Sequence, residues 1–161
     1  MKPTRVLMCC TGNICRSPTA EGVLRAKLAV AGLARHVQVD SAGTHGYHVG
    51  APPDDRTQSR ALQRGYNLSA QRARAVVSAD FERFDLVLGM DDDNLEWLAK
   101  ACPALFAHKL RLLMSFAPDA RCAVVPDPYY GGPAGFDRVL DLVEAACDGL
   151  VLHLAKATPR G

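Results

Sequence analysis

Two hydrophobic patterns alternate along the chain. Short apolar runs, typical of buried strands, lie at residues 4–9, 36–41, 84–90 and 109–114. Elsewhere apolar residues recur every three or four positions, which predicts helices at 18–31, about 54–65, 91–101 and about 134–156. The last helix carries the longest apolar stripe: Phe136, Val139, Leu140, Val143, Cys147, Leu150, Val151 and Leu154.

Strands and helices that follow one another in turn predict an α/β fold. We expect a three-layer, doubly wound, four-stranded parallel sheet with helices on both faces, in the flavodoxin-like order 2-1-3-4. A chain of 161 residues that is 48% hydrophobic can bury a core without disulfides or metals, so we predict a single domain over residues 1–161. In such a fold the ligand binds at the carboxyl ends of the strands.

Composition excludes several kinds of partner. A formal net charge of +2 favours neither a nucleic-acid nor a membrane partner, and no segment approaches about 20 apolar residues. The first residues lack the apolar stretch of an export signal, so we expect a cytoplasmic protein. We also expect a monomer. Export by a route without a signal peptide would leave no trace in the sequence.

The six cysteines lie at positions 9, 10, 15, 102, 122 and 147, with no CxxC pair. This arrangement favours free thiols in a reducing compartment over a disulfide framework. The five histidines show no metal-ligand spacing. We therefore predict no metal and no cofactor.

The segment Cys10-Thr11-Gly12-Asn13-Ile14-Cys15-Arg16-Ser17 follows the first predicted strand and leads into the first predicted helix. A strand end, a glycine-containing turn and a helix N-terminus direct several backbone N–H groups at one volume, which favours a phosphate-like oxyanion. Such surroundings also stabilise a cysteine thiolate at Cys10, and Arg16 offers a fork for oxygen atoms. The segment thus predicts cysteine-based phosphoryl chemistry.

The spacing from Cys10 to Arg16 is weak evidence alone, because fourteen arginines make it common by chance. The residues around this spacing make the evidence stronger. Gly12 and Asn13 tolerate positive φ, and we interpret Ser17 as a helix N-cap with Pro18 as the first helical residue.

A second segment, Asp127-Pro128-Tyr129-Tyr130-Gly131-Gly132, lies far from the first in sequence. Phosphoryl transfer to cysteine needs a proton for the leaving oxygen, and Asp127 is the candidate donor. The alternative is a simple turn, since Asp, Pro and Gly all favour turns.

Together, these motifs resemble the low-molecular-weight protein tyrosine phosphatase family. The resemblance runs nearly end to end, over Cys10 to Ser17, Ser-Ala-Gly-Thr at 41–44, Gly-Met-Asp at 89–91 and Asp-Pro-Tyr-Tyr-Gly at 127–131. It implies that Cys10 is the nucleophile, that Arg16 and the loop amides bind the phosphoryl group, and that Asp127 is the general acid and then the general base. No metal takes part in that mechanism.

The resemblance also implies roles for neighbouring residues. Thr11, Gly12, Ile14 and Cys15 would form the substrate-binding loop, and Asn13 would hold it in shape with Ser41. Ser17 would donate a hydrogen bond toward the nucleophile, and Cys15 could trap an oxidised nucleophile as a disulfide. Two further positions would have no catalytic role. Asp91 would be structural. Gln71 stands where some relatives have a histidine, so its part in the network around Ser41 is open.

Substrate choice would depend on the walls of the site. Tyr47, Tyr129 and Tyr130 could pack on a substrate ring, and Ile14 is typical of tyrosine phosphatases, whereas the arginine-phosphatase branch tends to have threonine there. We expect tyrosine-phosphorylated proteins as substrates and phosphate-like oxyanions as ligands. Elsewhere, Trp97 is predicted to be helix core, and Asp91-Asp92-Asp93-Asn94 an acidic helix start.

Other functions on the same fold remain open. An arginine phosphatase would share this loop. An arsenate reductase would need further cysteines for a disulfide relay, and residues 75–95 contain none. A phosphocysteine carrier or an inactive phosphate-binding module would not need Asp127.

Overall fold

The protein is described here by a computed structural model that covers residues 2–157, so residues 1 and 158–161 of the predicted domain lie outside the description. Its four strands are β1 (Thr4–Cys10), β2 (Val37–Gly43), β3 (Leu86–Gly89) and β4 (Leu110–Leu112). Its five α-helices are α1 (Arg16–Val30), α2 (Asp55–Gln63), α3 (Ser78–Arg83), α4 (Asp92–Ala101) and α5 (Pro133–Ala157). Three short 3₁₀ turns lie at Ala104–Lys109, Leu113–Phe116 and Pro118–Ala120.

All strand pairs are parallel, in the order β2-β1-β3-β4, which confirms the predicted sheet. Because the chain passes from β1 to β2 on one side and then crosses to β3 on the other, β1 is the topological switch point. Cys10 is the last residue of this strand and pairs with Gly43 of β2. The predicted nucleophile therefore lies where doubly wound folds bind ligands.

Helices cover both faces of the sheet. The larger core packs α1 and α5 against one face. Every residue of the predicted α5 stripe belongs to it or packs against it except Phe136, which is buried elsewhere, and Val151 is only half-buried. The smaller core packs Phe81 of α3 and Leu98 of α4 against the other face. Trp97 was predicted to belong to the core, but it is only half-buried at the edge of this smaller core. The fully buried residues of α4 are Asn94 and Leu98, and Trp97 lies beside them on the helix. No helix within residues 2–157 is long and apolar enough to cross a membrane.

The first helix begins earlier than predicted, and the interpretation of Ser17 as its N-cap is wrong. Helix α1 starts at Arg16, with Cys15 in the capping position. The Cys15 carbonyl accepts the N–H of Thr19 at 3.3 Å and the Thr19 hydroxyl at 2.8 Å, so the first helical turn forms two residues sooner. Pro18 is tolerated because N–H groups in the first turn have no partner within the helix.

Candidate active site

The loop from Cys10 to Arg16 connects β1 to α1 and closes around a cleft of about 440 Å³. The segment that follows β2 holds the backbone of this loop, because the N–H groups of Thr44 and His45 donate to the carbonyls of Cys10 and Thr11 at 2.8 and 3.0 Å. Gly43 must be glycine here, since a Cβ would lie 2.8 Å from the Thr11 carbonyl oxygen. The segment at 41–44 therefore supports the loop from behind.

Asn13 forms the centre of a hydrogen-bond network beneath the loop. It is buried and has a φ of 57°, a conformation that asparagine tolerates better than most residues. Its amide nitrogen donates to the hydroxyls of Ser17 and Ser41, at 2.8 and 3.0 Å, and its amide oxygen accepts the backbone N–H of Arg74 at 3.0 Å. The side chain thus fixes two hydroxyls and ties the loop to residue 74.

The donors and acceptors of this network can be assigned consistently from one residue to the next. Ser41 donates to the Glu21 carboxylate at 2.8 Å and accepts from Asn13. Ser17 also accepts from Asn13, so its own hydrogen is free for the Cys10 sulfur, which lies 3.0 Å from the Ser17 oxygen. The buried sulfur therefore faces a hydroxyl donor as well as the start of α1.

Arg16 lies across the cleft from that network and is almost fully buried. Its Nη1 donates to the Asp91 carboxylate at 2.6 Å and to the Val125 carbonyl at 3.0 Å, while Nη2 lies 3.8 Å from an Asp127 oxygen. Burial alone would lower the pKa of Arg16, but the neighbouring Cys10 sulfur and the Asp91 carboxylate more than offset it and raise that pKa. The guanidinium is therefore charged and fixed in direction.

Asp127 lies at the mouth of the cleft, with its side chain half exposed. Its Oδ1 accepts the backbone N–H of Tyr129 at 3.0 Å, which holds the carboxylate in a local turn, as the turn interpretation required. The same turn brings Asp127 to the cleft that Cys10 and Arg16 line. The two distant motifs therefore meet.

Aromatic side chains form the walls above the loop. Tyr47, Tyr129 and Tyr130 all line the cleft, and Tyr129 packs edge to face on Tyr130 with ring centroids 5.0 Å apart. His48, which has no role in the predicted site, also lines it and packs against Gly12. Such walls accommodate a flat ring next to an anion site.

Cys15 also faces the cleft, beside Cys10 in the same loop. Burial raises the pKa of Cys15 to about 12, which keeps it a protonated thiol at neutral pH. The other cysteines lie elsewhere: Cys102 packs against the smaller core and Cys122 against the larger core, on opposite faces of the sheet. No group of three His, Cys, Asp or Glu side chains within residues 2–157 is arranged to hold a metal ion.

A family model described as low molecular weight phosphotyrosine protein phosphatase matches residues 5–160. The chain belongs to this family. A low molecular weight protein-tyrosine-phosphatase of Streptomyces coelicolor is 46% identical over 150 residues, which cover 91% of each chain. The low molecular weight phosphotyrosine protein phosphatase of Homo sapiens is 39% identical over 148 residues, covering 88% of this chain and 90% of the human one.

Solved structures of low molecular weight phosphatases share the fold. A crystal structure of a protein tyrosine phosphatase from Entamoeba histolytica, with Hepes in its active site, superposes with a TM-score of 0.93 at 40% identity, covering 96% of this chain and 98% of that one. The predicted family and the predicted fold are confirmed.

Within this phosphatase fold, the cleft brings together the predicted catalytic and substrate-binding residues. Those that line it are Cys10, Thr11, Gly12, Ile14, Cys15, Arg16, Tyr47, Asp127, Tyr129 and Tyr130. Asn13, Ser17 and Ser41 lie behind the loop as its support. Asp91 is the N-cap of α4 and the anchor of Arg16, in agreement with the structural role expected of it.

Gln71 does not support Ser41. Its amide nitrogen donates to the Pro18 carbonyl at 3.0 Å, whereas the Ser41 hydroxyl bonds Glu21. Glu21 and Arg74 are the supporting residues that sequence reasoning missed. Glu21 is the sixth residue of α1 and lies on the buried side of the helix. A carboxylate on the apolar side of a helix is unusual, and this was the one signal in the sequence that could have indicated its supporting role.

Proposed function

We propose that this protein is a metal-independent phosphatase that hydrolyses phosphotyrosine through a phosphocysteine intermediate on Cys10. The observation that carries the proposal is the meeting of Cys10, Arg16 and Asp127 in one cleft, from motifs more than a hundred residues apart. A nucleophile, a fixed cation and a carboxyl group at the mouth are the parts that phosphoryl transfer to cysteine and subsequent hydrolysis need.

In the first step the Cys10 sulfur attacks phosphorus, and the bond between phosphorus and the phenolic oxygen breaks. Asp127 gives its proton to the departing oxygen, while Arg16 and the loop amides bind the phosphoryl oxygens. In the second step water attacks phosphorus and Asp127 takes the proton of that water. The bond between phosphorus and sulfur breaks, releasing inorganic phosphate and the thiolate, which accepts a hydrogen bond from Ser17.

The role of Asp127 is tested by its dependence on the leaving group. Asp127→Ala should slow hydrolysis of phenyl phosphate and phosphotyrosine by about 10²- to 10⁴-fold, because their leaving oxygens need a proton. The loss should be smaller for p-nitrophenyl phosphate, whose leaving group is a weak base. Asp119→Ala, an exposed aspartate in the 3₁₀ turn at 118–120, is the matched control. Equal losses across these leaving groups would contradict the acid role.

The nucleophile is tested by Cys10→Ser, which should abolish turnover and trapping of a phosphoryl group while still binding phosphate-like ligands. Full activity in this variant would overturn the mechanism. A parallel assay on phosphotyrosine, phosphoserine and phosphoarginine peptides tests the substrate class. Ile14 and the three tyrosines of the cleft support an aryl phosphate, so phosphotyrosine should be hydrolysed fastest.

A further inference from the structure

A strip of aromatic rings leads from the cleft along the surface of the protein. Tyr47, which lines the cleft, stacks on His45 with ring centroids 5.1 Å apart and ring planes 15° apart. His45 in turn lies 6.2 Å from the Trp97 ring on α4. Tyr47 is 70% exposed, His45 is exposed and Trp97 is half-buried. We call these three residues the aromatic shelf.

The helix beside the shelf is acidic. Helix α4 exposes Asp92, Asp93 and Glu96, and Asp93 lies four residues before Trp97, so the two side chains are neighbours on the helix surface. Glu96 pairs with Lys100 at 3.1 Å. Among the ion pairs of residues 2–157, none includes Asp92 or Asp93. The shelf therefore has one carboxylate without a cationic partner next to it, that of Asp93.

The aromatic faces and the unpaired carboxylate select the same chemistry. A guanidinium or ammonium group is attracted to the faces of tyrosine and tryptophan and to a carboxylate, whereas an acidic side chain is repelled by the carboxylate. Starting from the phosphotyrosine hydrolysis proposed above, we propose that the shelf and Asp93 bind an arginine or lysine side chain that lies near the phosphotyrosine of a protein substrate.

The shelf has the length of a short peptide segment. An extended chain advances about 3.3 Å per residue, so each ring-to-ring step along the shelf corresponds to about two residues. Because the shelf begins at the wall of the cleft, a basic residue about two to four positions from the phosphotyrosine can reach it. The contact is exposed to solvent, so we expect it to raise kcat/KM by about three- to tenfold.

The test compares matched phosphotyrosine peptides at low salt and at pH 7.5. One set carries arginines at the second to fourth positions before the phosphotyrosine, a second set carries them after it, and reference peptides carry alanines or glutamates at the same positions. Arginine on one side should raise kcat/KM relative to alanine by the factor above, and glutamate there should lower it.

Two variants locate the effect. Trp97→Leu keeps apolar packing against the smaller core but removes the indole face, and Asp93→Asn removes the charge. In each, the ratio of kcat/KM for the arginine peptide to that for the alanine peptide should fall toward one. Asp119→Asn is the matched control. Asp119 lies in the 3₁₀ turn at 118–120, in which Ala120 packs against the larger core, on the face of the sheet opposite to the smaller core. Its ratio should equal that of the wild type.

The outcomes separate the two proposals. If the wild type hydrolyses the alanine peptide but shows no arginine preference on either side, the shelf proposal fails and the proposed function stands. A preference that survives both Trp97→Leu and Asp93→Asn also overturns it. If no phosphotyrosine peptide is hydrolysed at all, the proposed function fails and the shelf proposal fails with it.

Discussion

Asn13 gives the clearest link between a single residue and the site. It occupies the left-handed region at a φ of 57°, and its side chain makes three hydrogen bonds, to Ser17, to Ser41 and from the backbone of Arg74. The backbone conformation and the hydrogen bonds are separable by mutation, because glycine adopts this φ freely and alanine does not.

We therefore expect Asn13→Gly and Asn13→Ala both to lower the free energy of unfolding, by about 1–3 kcal/mol for the lost hydrogen bonds. Asn13→Ala should be less stable than Asn13→Gly by about a further 1 kcal/mol, since only alanine resists positive φ. Urea denaturation of the three proteins measures this. Equal stability of the two variants would mean that the backbone conformation there is not retained.

Glu21 is a buried carboxylate in the same network. Burial raises the pKa of Glu21 above its ordinary value, although the bonds from Ser41 and Arg25 act in the opposite direction. The folded state therefore holds this proton more tightly than the unfolded state does. The resulting stabilisation is complete below about pH 4.3, the ordinary value for glutamate, and is lost as the pH rises through the raised pKa.

The glutamine in Glu21→Gln cannot titrate. Between pH 4 and pH 7 this variant should therefore gain stability relative to the wild type, so the difference between the two free energies of unfolding should shift in favour of the variant. Urea denaturation at both pH values checks this. In Arg25→Gln, which removes a cation that lowers the pKa of Glu21, the loss of stability with rising pH should be larger than in the wild type. A difference between Glu21→Gln and the wild type that does not change with pH would show that Glu21 titrates alike in both states.

Sequence reasoning predicted Cys10, Arg16 and Asp127, which line one cleft, because each lies in a motif whose residues carry the proposed chemistry themselves. It missed the contacts that hold them. Arg16 bonds Asp91 from 75 positions away, and Asn13 bonds the backbone of residue 74 from 61 positions away. Such pairs depend on how the strands are ordered, and no local pattern encodes them.

At the scale of elements, the approach between α5 and the turn at Leu113–Phe116 is unusually close. A Cβ at Gly149, inside α5, would lie 1.9 Å from the Phe116 carbonyl oxygen. That oxygen belongs to the backbone and cannot move aside as a side chain would. The glycine therefore permits the contact between the helix and the segment that follows β4.

We expect Gly149→Ala to lower the free energy of unfolding by about 1–3 kcal/mol, although alanine is intrinsically the better helix former by about 1 kcal/mol. Gly135→Ala, in the first turn of the same helix, is the control, because its Cβ would lie 3.6 Å from the nearest atom, an ordinary contact. The control should be as stable as the wild type or slightly more stable. Thermal unfolding of both variants decides the matter, and a stabilised Gly149→Ala would contradict the close approach.

Prediction of elements succeeded where the pattern was long. The apolar stripe of α5 extends over about five helical turns, and Asp91 and Asn94 cap α4 as the acidic start indicated. The short elements were missed or misjudged. Helix α3 has six residues, and the strand expected at 109–114 is only Leu110–Leu112 because the chain then turns into a 3₁₀ segment. Elements this short are decided by tertiary contacts more than by periodicity.

At the scale of the whole molecule, the cleft joins parts of the chain that are distant in sequence. Strand β1 supplies Cys10, helix α1 supplies Arg16, and the segment after β3 supplies Asp91, which holds Arg16. The Val125 carbonyl, two residues before Asp127, accepts from Arg16 as well. A ligand that fills this cleft contacts groups from several elements at once, so its binding is coupled to the stability of the entire fold.

A phosphate-like oxyanion should therefore stabilise the protein against heat. At a concentration about a hundred times its Kd, an oxyanion that binds only the folded state adds about 2.7 kcal/mol, which corresponds to a rise in Tm of about 5–10 °C for a chain of this size. Cys10→Ser should retain this shift, since it keeps the loop amides and Arg16. Arg16→Met should lose most of it, because the fixed guanidinium would no longer bind the oxygens. Tungstate or phosphate titrations followed by thermal unfolding measure the shifts, with chloride at equal ionic strength as the control. A shift that is as large in Arg16→Met as in the wild type would place the anion site elsewhere on the protein.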